Sequence, residues 1–166
     1  MARKCALMVA VCLLVGSPAF AQVQRVVVET EGMSNACLPA LEGALKQTES
    51  IYKYATSVPK QMFSVIYYAG EKFEPLTLRK IANQGEAYVL KFHVSAVGTL
   101  EKDGDRRVFV AGENRFVITG ADGVPLGVQV GVIGLVDDEE NPMTMTPDDI
   151  QVLTDSPTDE SAPPRK

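Results

Sequence analysis

Arg25-Val26-Val27-Val28-Glu29-Thr30-Glu31-Gly32-Met33-Ser34-Asn35-Ala36-Cys37-Leu38 holds a strand, a tight loop and the start of a helix in one short run. Gln24 to Thr30 reads as a strand, Val-rich and with Val26 and Val28 on one face. Ser34 or Asn35 is placed to cap the helix that follows, and Pro39 is tolerated in its first turn. Leu38, Leu41, Ala44 and Leu45 then form an apolar stripe at helical spacing, which carries the helix to Gln47.

Outward from this stretch, Ile51 to Val58 and Met62 to Ala69 are β-rich runs joined by Pro59-Lys60-Gln61. Pro75 opens a second helix with Leu78, Ile81 and Ala82 inward, Gly85 marks its end, and Ala87 to Val94 returns as a strand. Strand–helix–strand–strand–helix–strand is the ferredoxin-like βαββαβ order, here expected over residues 22–93. Beyond it, Val94 to Leu100, Arg107 to Ala111, Arg115 to Thr119, Gly127 to Val136 and Ile150 to Leu153 are short β-like runs. Lys102-Asp103-Gly104-Asp105 and Gly112-Glu113-Asn114 supply hairpin turns. These strands predict a small OB-like five-stranded β-barrel over residues 94–153, so the expected class is α+β in two units.

Residues 24–92 resemble the heavy-metal-associated domain, the metallochaperone type found in small copper chaperones and periplasmic mercury-binding proteins. The resemblance rests on Gly32-Met33 after the first strand, the helix through Leu41 and Leu45, Ile51 opening the next strand, and Tyr88 close behind Gly85. The family pattern is Gly-Met-x-Cys-x-x-Cys, and its two cysteine positions fall here on Asn35 and Leu38, with Cys37 one residue short of the second. The resemblance implies a soft metal ion such as Cu(I) as cargo. Met33 and Cys37, a thioether and a thiolate in one loop, are the residues to hold it.

The ends bound the setting. Arg3 and Lys4, the apolar run Cys5 to Val15 and Ala19-Phe20-Ala21 read as a signal peptide over residues 1–21, cleaved before Gln22. The expected product is periplasmic or secreted, 145 residues long, with no stable membrane anchor. Cleavage removes Cys5 and Cys12, so Cys37 has no internal disulfide partner; pairing two copies through Cys37, by a metal or a disulfide, is the open alternative. Residues 22–136 carry 12 acidic and 12 basic groups, and residues 137–166 carry 9 acidic groups against Arg165 and Lys166. A body without basic excess argues against a nucleic-acid partner. Residues 154–166, rich in Ser, Pro, Asp and Glu, read as a disordered acidic tail.

Other candidates are weaker. His93 is the only histidine, and an antiparallel last strand sets it about 16 Å from the loop, on a face shared with Lys91. Asp137-Asp138-Glu139-Glu140-Asn141 with Asp148-Asp149 lacks the ligand spacing of a Ca²⁺ loop and reads as a solvated edge. No Ser/His/Asp set or phosphate loop is present, and Cys37 has no histidine within reach as a base, so a non-enzyme is expected. Three functions follow: soft-metal binding or sensing in the cell envelope, a protein-interaction or assembly module that has lost the metal site, and ligand binding by the barrel. The last requires Tyr88, Phe109 and Phe116 on an exposed groove, whereas their Val/Ile neighbours suggest core.

Overall fold

Alternation of buried and outward residues builds most of the chain in the computed structural model, which describes residues 21–153. The expected signal peptide, up to Phe20, and the expected tail lie outside the described residues. In chain order the elements are β1 (Gln22–Glu31), α1 (Leu38–Gln47), β2 (Ile51–Ser57), β3 (Met62–Tyr67) and α2 (Pro75–Gln84). They continue as β4 (Tyr88–Asp103), β5 (Arg106–Ala111), β6 (Asn114–Ile118), β7 (Gln129–Asp137) and β8 (Thr144–Val152). No helix among them is long and apolar enough to cross a membrane.

The expected assembly, a ferredoxin-like unit followed by a separate OB-like barrel, is corrected. All eight strands form one sheet in the order β2-β3-β1-β4-β5-β6-β8-β7, and β7 also pairs with β4. The boundary placed between His93 and Val94 falls in the middle of β4, a single strand of 16 residues. Its inward residues Phe92, Val94, Ala96 and Leu100 keep period two across that point, so two runs read as separate strands are one.

Gly98 explains how β4 serves two sets of neighbours. Val97 pairs with Gln22 of β1, and Thr99 pairs with Val110 of β5, so β4 changes partner at Gly98. A Cβ there would lie 2.1 Å from the Val110 carbonyl oxygen, which only glycine avoids. The core is equally continuous. Phe73, from the loop before α2, packs edge-on to Phe92 with centroids 5.6 Å apart, and stands 6.4 Å from Phe116 of β6. Phe116 stacks on Phe109 of β5 at 6.3 Å, so aromatic rings link the helical end of the molecule to the β-only end.

Both helices lie on one face. Leu41 and Leu45 of α1 and Leu78, Ile81 and Ala82 of α2 are buried against Val26, Val28, Phe63 and Val65. Pro sits at the start of each helix, as read from the sequence, but the caps differ from expectation. Cys37, not Ser34 or Asn35, is the N-cap of α1 and makes no side-chain cap bond. Ser34 caps one turn earlier, its Oγ accepting the Cys37 N–H at 3.4 Å and its carbonyl the Leu38 N–H at 3.1 Å. After α2, Gly85 has a negative φ and the left-handed residue is Glu86, φ 53°. Gly85 is needed for packing: a Cβ there would stand 2.7 Å from Leu41 Cβ.

Candidate functional site

The Gly32–Cys37 loop is held from outside itself. Gly32 has φ 83°, and a Cβ on it would lie 3.2 Å from the Glu86 carbonyl oxygen, so the loop abuts the α2–β4 junction. Gln61, itself at φ 49°, is the main clamp. Its Oε1 accepts the Met33 N–H at 3.0 Å, while Nε2 donates to the carbonyls of Met33 at 2.8 Å and Val58 at 2.9 Å. The Gln61 carbonyl accepts both the N–H and the hydroxyl of Thr30. With its backbone fixed this way, Met33 turns its thioether into the core, where the residue is 4% exposed.

Cys37 is half-buried, and its thiol donates to Glu86 Oε2 at 3.0 Å. The two sulfur donors therefore have different surroundings, Met33 in the apolar core and Cys37 beside a carboxylate. An ion bound by both would have to displace the Glu86 bond and reach into packed side chains. Among the described residues no three His, Cys, Asp or Glu side chains come together in a way that would hold a metal. Gln61 and Glu86 are not announced by the sequence pattern; the tight turns after Val58 and after Gly85 were the only signal.

His93 is taken up by β1. Its Nε2 lies 2.7 Å from Glu29 Oε1, both groups about one-third exposed, and it faces outward with Lys91. Of the acidic run, Asp138 is engaged by α2: Arg79 donates from Nε to Oδ2 at 2.9 Å and from Nη2 to Oδ1 at 2.7 Å. Arg79 Nη1 also donates to the Val89 carbonyl, and the guanidinium lies 5.2 Å over the Phe92 ring. The Asp138 hydrogen bond holds the guanidinium even more firmly protonated than usual, against a smaller opposing effect of burial. Asp137 Oδ1 accepts the Glu139 N–H, so this loop is organised internally.

Phe109 and Phe116 are fully buried, whereas Tyr88 is 66% exposed beside Glu86 and Asn83. The hollow at those three residues is open to solvent. The better-formed depression, about 130 Å³ and lined by Thr48, Tyr67, Glu74 and Leu78 among others, is well below the size of an ordinary small-molecule pocket.

The largest uncommitted feature is the sheet face opposite the helices. Strand register aligns Ala55, Ser64, Val27, His93 and Leu135 in one row across β2, β3, β1, β4 and β7. The next row is Lys53, Ile66, Arg25, Ser95 and Ile133. On the other side stand Ser57, Met62, Glu29 and Lys91. No described element covers these rows. Val27, Ile66 and Leu135 are half-buried by their neighbours alone, and Ile133 is 48% exposed. The chain matches no known family and no curated protein.

Proposed function

We propose that this chain is an exported protein-interaction module that works through its open sheet face. The observation that carries the reading is the apolar set Val27, Ile66, Leu135 and Ile133, left on the solvent side of five paired strands. Antiparallel sheets with one solvated face ordinarily alternate apolar-in with polar-out. Here β-branched residues occupy the outward positions too, in adjoining rows and with charges around them, as on a protein contact surface. The enclosed depression is too small for an ordinary small molecule, and the larger hollow at Asn83, Glu86 and Tyr88 lies open to solvent with three lining residues.

The test is a photo-crosslinking amino acid placed at Ile133, and at Leu76 on α2 as a control on the helical side, in the cell that makes the protein. Leu76 is 71% exposed, so reactivity alone does not distinguish the positions. Protein adducts at Ile133 and none at Leu76 are expected. Equal labelling at both, or none at Ile133, overturns the reading.

A further inference from the structure

The open face is charged in an ordered way. Arg25 and Lys53 lie in one row with Ile66 between them, and no hydrogen bond or ion pair engages either cation among the described residues. Two rows away along the strands stand Glu29 and, at the strand ends, Glu31 and Asp137, with Lys91 the single unpaired cation among them. The face thus carries Arg25 and Lys53 at one end, with Asp149 of β8 beside Ile133 in the same row, mixes Val27 and Leu135 with Ser64 and His93 along the middle, and is net acidic at the other end. A surface graded this way is complementary to itself when turned end for end.

We propose that a second copy of this chain packs on this face, sheet to sheet, about a two-fold axis running along the Ser64–Val27–His93–Leu135 row. This rests on the reading of the face as an interaction surface. Rotation about that axis keeps each strand over its own copy and reverses it. Arg25 then meets Glu29 of the second copy, which His93 already bonds within its own chain, Ile66 meets Met62, Ile133 meets Asp137, and Val27, His93 and Leu135 meet their own copies at the centre. Sheets packed face to face stand about 10 Å apart, a gap that side chains of these sizes fill. At about 4.8 Å between strands and 3.3 Å per residue, the face offers roughly 400 Å² per copy, about half a standard interface. The dimer is therefore weak and concentration-dependent, and it weakens further with salt.

Sedimentation equilibrium of the purified full chain, over a wide concentration range at low and high salt, tests this directly. Reversible dimerisation that weakens at least tenfold with Arg25→Glu and is restored when Glu29→Arg is added is expected; both positions are on the surface, and circular dichroism checks the fold. A monomer throughout, or a dimer indifferent to Arg25→Glu, overturns the proposal. The Ile133 crosslinker separates this from the broader reading. Adducts of the chain with itself support the dimer, adducts only with another protein overturn the dimer and leave the interaction reading standing, and no adduct overturns both.

Discussion

At the scale of single residues, Met33 and Cys37 show how one loop gives two sulfur atoms different fates. Gln61 fixes the Met33 backbone from both sides, which turns the thioether inward, and Cys37 is left at the helix start with Glu86 as its partner. Cys37→Ser keeps a hydroxyl able to donate to Glu86, so its expected cost is within about 0.5 kcal/mol by urea denaturation. Gln61→Ala leaves the Met33 amide and carbonyl and the Val58 carbonyl without that partner, and about 1–3 kcal/mol should be lost in the same assay. A competitive Cu(I) titration on wild type and Cys37→Ser checks the soft-metal alternative, whose signature is tight binding abolished by the substitution. Tyr67 carries a pH dependence. Burial, reinforced by the Glu74 carboxylate, raises its phenol far above the ordinary value, so the fold accepts only the protonated form. The unfolded chain releases that proton from about pH 10 upward and the folded chain does not, so stability falls as pH rises above about 10. Tyr67→Phe should flatten the fall in urea midpoint between about pH 9 and about pH 11, relative to wild type.

At the scale of elements, the sequence locates both helices and most strands, misses most of β8, which starts at Thr144 and not at Ile150, and reads their joining poorly. The helix Leu38–Gln47 was legible from its stripe, and the hairpins at Gly104 and Gly112 from their turn residues, both glycines having positive φ. The length of β4 was not read, although Phe92, Val94, Ala96 and Leu100 spell it out, because the βαββαβ order closes on its fourth strand and so set a unit boundary at His93, in the middle of the alternation. Nor does any local pattern show that Arg79 reaches Asp138, 59 residues away, and ties α2 to the end of β7. In the site, Met33 and Cys37 were visible as sulfur donors, but the partners that set their orientation come from other elements. Two element-level changes follow. Gly98→Ala drives a methyl into the Val110 carbonyl and should cost about 1–3 kcal/mol or prevent folding, by thermal denaturation. Asp138→Asn and Arg79→Met, alone and together, form a double-mutant cycle. With Arg79 partly exposed and Asp138 largely covered, a coupling of about 1–2 kcal/mol is expected, above that of a surface pair.

At the scale of the whole molecule, one sheet and one core have a thermodynamic consequence that two independent units would not. Ferredoxin-like and barrel units joined by a linker would unfold separately, each with its own stability. Here β4 is shared, and Phe73 sits between Phe92 and Phe116, so melting either end strips the other of strand pairing and ring contacts. Differential scanning calorimetry should therefore show a single transition with equal calorimetric and van't Hoff enthalpies. Phe73→Ala empties a fully buried ring site and should lower stability by about 3–5 kcal/mol. Its more informative effect is on the shape of the transition. In a cooperative molecule the variant melts earlier but still in one step, and tyrosine fluorescence, reporting on Tyr52, Tyr54, Tyr67, Tyr68 and Tyr88 at the helical end, coincides with far-ultraviolet circular dichroism of the whole. Transitions that separate in the wild type would mean that β4 is continuous in geometry but not in energy, with Gly98 as the point where the two halves come apart.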